Sequence, residues 1–138
     1  MANDNQEKNA LTDLYVDASE VDQERIRDAI SDLIGIDTQT AKPLFHGEFD
    51  SLTSKEKFTA LLLYRRALLS LDELDEDETV GEGSAYFADL IGVDDSTIRH
   101  AANDLDFVIN DGEQGGYLIP PHKIQKATNS LDTDRSAE

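Results

Sequence analysis

Apolar positions along the chain gather into a few stretches separated by polar connections. Between Ala18 and Ile34, the residues Val21, Ile26, Ala29, Ile30, Leu33 and Ile34 fall near helical spacing, with Ser19 placed to cap the start. The pattern predicts a short amphipathic helix that ends at Gly35. Pro43 forbids a long uninterrupted helix beyond it unless it starts one, and Phe45 to Leu52 reads as a connection. A stronger helix is predicted over residues 54–71. Thr53 and Glu56 form a T-x-x-E capping box, and Phe58, Leu61, Leu62, Leu68 and Leu69 make a continuous apolar stripe. Leu63, Tyr64 and Leu71 widen that stripe, so the helix is expected to pack on two sides or to contribute to a dimer seam.

Residues 72–78 are an acidic run, and a calcium loop starting at Asp75 would need glycine where the chain has Val80. A solvated linker is expected there. Beyond it, Ser84 can cap a helix through Ile91, Gly92 supplies a tight turn, and Asp94 can cap a second helix through Leu105. Close crossing of two short helices needs a small residue inside and a flexible corner, and Ala88 and Gly92 stand at those places. Phe87, Ile91, Val93, Ile98 and Ala101 supply the apolar positions that lock the pair. The following FVINDGEQGGYLIP reads as two short strands, Phe107 to Asn110 and Tyr117 to Ile119, around a glycine-rich turn, with Val80 as a possible third strand.

Taken together, residues 54–119, about half the chain, resemble the winged helix-turn-helix domains common in archaeal and bacterial transcription regulators. The resemblance implies a mainly α fold with a small β-hairpin wing, here preceded by a small N-terminal helical unit. It implies that helix 95–105 enters the major groove of double-stranded DNA and that the wing touches the backbone or minor groove. With Ile98, Ala101, Ala102 and Leu105 inward, Ser96, Arg99, His100 and Asn103 form the outer face; Arg99 suits guanine and Asn103 suits adenine. Thr97, near the helix start, could meet a phosphate. Gln114 is the expected wing contact, and Lys123 and Lys126, beside His122, form a small basic cluster after the hairpin. The chain departs from the family pattern at Asp95, Asp111 and Glu113, which stand where cations would serve DNA affinity. A winged-helix adaptor that docks a protein, and an acidic mimic of DNA, remain as rivals.

DLIGID at residues 32–37 nearly repeats DLIGVD at 89–94, which suggests either a degraded second helix-turn-helix or a common helix-end pattern. The expected organisation is a flexible N-terminus at 1–17, an N-terminal helical unit at 18–52, a winged-helix domain at 53–128 and a flexible tail at 129–138. The N-terminal unit is a candidate for holding a protein partner, and a homodimer is the expected assembly.

Composition changes the environmental picture. Thirty Asp and Glu against twelve Lys and Arg give a formal net charge of −18. On a structured chain, that excess resembles the acidic surfaces of extreme halophiles, which stay hydrated when multimolar salt screens self-repulsion. No cysteine is present, which excludes disulfides and thiolate metal sites. No basic and apolar leader and no stretch approaching roughly 18 apolar residues is found, so a cytoplasmic protein with no membrane partner is expected. The histidines at 46, 100 and 122 are scattered, and no nucleophile, metal or phosphate-loop pattern occurs; neither an enzyme nor a cofactor is expected.

Overall fold

Helix α1 (Ala18–Ile30) is capped by Asp17, whose carboxylate accepts the backbone N–H groups of Ser19 and Glu20 at 2.9 and 3.3 Å. The cap therefore lies two residues before Ser19, the one expected from sequence. In this computed structural model the described residues are 11–12, 14–15 and 17–136, with side-chain surroundings through 132. The flexible N-terminus expected over 1–17 falls largely outside them.

The helix stops at Ile30, four residues short of the predicted end. Leu33 and Ile34 still reach the core, but from a turn and from strand β1 (Ile34–Ile36). This strand pairs antiparallel with β2 (Pro43–Phe45) in the register Ile34↔Phe45, Gly35↔Leu44, Ile36↔Pro43. Alternating β-branched residues around Gly35 suit a strand as well as a helix end. The connecting turn is tied locally, because the Asp37 carboxylate accepts Gln39 N–H and the Thr40 hydroxyl, each at 3.0 Å. Those bonds hold the Asp37 carboxyl below its ordinary range. The Tyr64 hydroxyl donates to the Ala41 carbonyl and pins the hairpin to the core. The likeness of 32–37 to 89–94 is thus one of sequence and not of conformation: the first copy runs into a hairpin, and a turn into β2, not a helix, directly follows Asp37.

Helix α2 (Ser54–Ser70) carries the predicted capping box. Thr53 Oγ1 accepts Glu56 N–H at 3.2 Å and Glu56 Oε1 accepts Thr53 N–H at 2.7 Å. Phe58, Leu61, Leu62, Leu63, Tyr64 and Leu68 are buried, whereas Leu69 lies outside the core with 46% of its surface exposed. The helix is central, packing against α1, against α3 (Ser84–Ile91) and α4 (Asp95–Asp104), and against α5 (Ile124–Ser136). Strands β3 (Ile109–Asp111) and β4 (Gly116–Leu118) form the second antiparallel hairpin, Ile109 opposite Leu118. A single bridge joins Glu82 to Tyr117, so the third strand expected at Val80 is one bridge two residues later.

Helix α5 corrects the expected tail at 129–138. Helix continues to Ser136, and Ile124, Ala127, Thr128 and Leu131 are buried against α1 and α2. One apolar cluster therefore runs from Ile26 to Leu131. The described chain is mainly helical with small antiparallel hairpins, and none of its helices is long and apolar enough to cross a membrane.

Candidate nucleic-acid interface

Gly92 sets the angle between α3 and α4. It occupies the left-handed region at φ 85°, and its N–H and that of Val93 both bond to the Ala88 carbonyl, at 2.8 and 3.1 Å. Gly83 occupies the N-cap position of α3, and Ser84, the expected cap, is the first helical residue. Phe87 and Ile98 are completely buried, and Phe58 of α2 meets Phe87 edge-on with ring centroids 5.0 Å apart. The Phe58 ring also meets Tyr117 of β4 at 6.0 Å, so one side chain ties α2, α3 and the hairpin.

Burial of Ile98, Ala101 and Ala102 fixes the rotation of α4. Ser96, Arg99, His100 and Asn103 consequently stand exposed on its outer side, and Thr97 is half-buried. The stretch from Ser96 to Asn103 contains no carboxylate, although Asp94 and Asp95 precede it and Asp104 follows. Asp104 is engaged by Lys55 at 3.1 Å. Ion pairs among the described residues use Arg25, Arg27, Lys55, Arg65 and Lys126, which leaves the Arg99 guanidinium uncommitted. A groove of about 470 Å³ borders this face, lined by Thr53, Ser54 and Lys55 of the α2 start and by Thr97, His100, Ala101 and Asp104 of α4. Lys55 was not singled out by sequence, since nothing local marks a lysine inside a capping box as a neighbour of residue 104.

The remaining candidates are committed elsewhere. Gln114 lies in the hairpin turn and donates to Asp111 Oδ2 at 2.9 Å, while Asp111 Oδ1 accepts Glu113 N–H at 3.0 Å. These bonds, the Gln114 amide foremost, lower the Asp111 carboxyl below its ordinary range. Lys123 donates to the Asp106 carbonyl at 2.7 Å, and Lys126 meets the Asp106 carboxylate at 2.5 Å. The Asp106 carboxyl is held low by the Lys126 contact above all. The basic cluster thus fastens the start of α5 to the end of α4.

Arg65 supports the site from behind. Its buried guanidinium donates to the Val80 carbonyl at 3.2 Å and the Thr79 carbonyl at 2.5 Å, pairs with Glu82 at 3.4 Å, and lies over the Tyr86 ring at 5.1 Å. One cation thereby fixes segment 79–82, the entry to α3 and, through the Glu82 bridge, the hairpin. Burial pushes the Tyr86 phenol up from its ordinary value. Within the leucine-rich run, the sequence offered no sign that this arginine turns inward.

No protein-family model, curated protein or solved structure matches this chain.

Proposed function

We propose that the chain is a salt-adapted DNA-binding protein, a winged helix-turn-helix that regulates transcription as a homodimer and reads double-stranded DNA with α4. The observation that carries this reading is the exposed side of the stretch Ser96–Asn103 of α4, which holds no carboxylate between Asp95 and Asp104 in a chain with a formal net charge of −18. Between those two carboxylates the outer side of α4 holds a free arginine, a histidine, an asparagine and a serine. Arg99 and Asn103 have the donor geometry for guanine and adenine edges, and Ser96 and Thr97 at the helix start suit phosphate. The β3–β4 hairpin, with Gln114 at its turn, takes the place of the wing. Multimolar salt suppresses counterion release, so base contacts and helix fit must supply a larger share of affinity than in basic relatives of this architecture.

Anisotropy titration against double-stranded DNA pools at about 2 M KCl, where long-range charge effects are screened, tests the proposal. Replacing Arg99 and Asn103 together by alanine is expected to weaken selected-site binding by about tenfold or more, since each good bidentate pair is worth roughly 1–3 kcal/mol of discrimination. Unchanged affinity and site preference in that variant would remove α4 as the reading helix. The acidic hairpin turn, with Asp111 and Glu113, favours one second reading, a protein-docking adaptor. Partner capture at high salt that persists after nuclease treatment, with no DNA binding by the purified chain, would select it.

A further inference from the structure

Between α1, β1 and the C-terminal end of α2 lies a groove of about 740 Å³, within the roughly 300–1,000 Å³ of ligand-binding clefts. Its floor is apolar, built from Ile26, Ile30, Ile34, Ile36, Ala67 and Leu71. Leu71 is 59% exposed, so apolar surface continues out of the groove at the α2 end. One wall is a row along α1 at helical spacing, Glu20, Gln23, Glu24 and Arg27. Arg27 holds Asp28 at 3.0 Å, which offsets its charge locally. Glu20 and Glu24 take part in none of the ion pairs found among the described residues. They stand four apart on one helix face, where like charges repel. A cation placed between them relieves that repulsion, and α1 supplies none.

We propose that this groove docks a basic amphipathic helix of a partner protein. Apolar side chains at i, i+3 or i+4, and i+7 fill the isoleucine floor, and lysines or arginines along the helix flank pair with Glu20 and Glu24. Charge selects this occupant over others. In a two-fold contact through this groove a second copy sets its own Glu20 and Glu24 row against the first, and an anionic membrane surface carries the same unfavourable sign.

Two synthetic helical peptides with one leucine stripe, one flanked by lysines and one by glutamates, test the proposal when titrated against the full chain. Anisotropy is read at about 0.3 M and about 2 M KCl, with circular dichroism showing that the chain is folded at both. The lysine-flanked peptide is expected to bind about tenfold more tightly at the lower salt. The preference should shrink at the higher salt, where the screening length falls below about 3 Å. Ala67→Trp, which fills the floor, should abolish binding of both peptides. Because that variant could fail to fold, E20K/E24K provides an independent arm: the preference should reverse to the glutamate-flanked peptide, with circular dichroism showing the variant folded. Equal binding of the two peptides, or a preference that E20K/E24K leaves intact, overturns the proposal. So does a concentration-dependent dimer in sedimentation that A67W dissolves, since the occupant is then a second copy.

Discussion

A Cβ on Gly115 would lie 2.0 Å from Thr79 Oγ1 and 2.3 Å from the Gly81 carbonyl oxygen, on backbone already at φ +102°. At Gly116, with φ +134°, the same atom would stand 2.5 Å from the Glu82 carbonyl oxygen. These close approaches seat the hairpin on segment 79–82, the segment that Arg65 holds from the other side. Gly115→Ala is expected to cost about 2 kcal/mol or more, since left-handed strain of roughly 1–2 kcal/mol adds to displacement of the neighbouring backbone. A Cβ on Gly112 would meet nothing within 4 Å, so this glycine serves as the control; Gly112→Ala should stay within about 0.5 kcal/mol. Thermal melts of the two variants decide the matter, and equal losses would show that the hairpin seat is not what Gly115 protects.

Among the elements, α5 illustrates how a sparse apolar pattern becomes structural. Ile124, Ala127 and Leu131 are spaced to face one side, and each is nearly or completely buried. Leu131→Ala is expected to lower stability by about 2–5 kcal/mol, the usual range for a fully buried leucine. Urea denaturation checks this through the midpoint, and a midpoint equal to that of the parent chain would mean that burial of Leu131 does not contribute to folding. Helix α2 works differently, because its start is set by side chains within one turn, Thr53 and Glu56, while its length is covered on several sides. Helix α4 presents the candidate reading face only because Ile98, Ala101 and Ala102 clamp its inner side.

For the whole molecule, the formal charge of −18 makes stability a function of salt and pH together. Raising KCl from about 0.1 to about 2 M shortens the screening length from about 10 Å to a few Å at most, so the melting temperature should rise. Asp37, Asp106 and Asp111 all titrate below their ordinary range through hydrogen bonds or a lysine contact. A depressed folded-state value means stability that is present above the unfolded value near 3.9 and lost as pH falls through the folded values. At high salt, where repulsion is screened, the melting temperature is therefore expected to hold down to about pH 4 and then fall. A profile that stays flat to pH 2 would mean that these three contacts do not couple to folding. Asp106→Asn should blunt the acid limb.

Features legible in the sequence are those encoded within a few residues. The Thr53 and Glu56 capping box, the Gly92 corner and the two short helices around it depend on contacts no further than five positions away, and they appear where expected. The outward set on α4 followed for the same reason, since helical period alone decides which residues share a face. The β1–β2 hairpin was not legible, because Leu33, Ile34 and Ile36 satisfy both the helical and the strand period. What selects the strand is packing, with Leu33 and Ile34 buried and the Tyr64 hydroxyl taking a carbonyl 23 positions away. The burial of α5 against α1 and α2, the inward turn of Arg65, and the capture of Lys123 and Lys126 by Asp106 likewise depended on chain segments brought together only by folding. Sequence thus determined the local elements and the candidate reading face, because short-range periodicity and caps act before the chain closes. Tertiary structure alone decided which cations remain free for a partner and where an unfilled apolar groove is left, because both depend on what the closed core has already paired and covered.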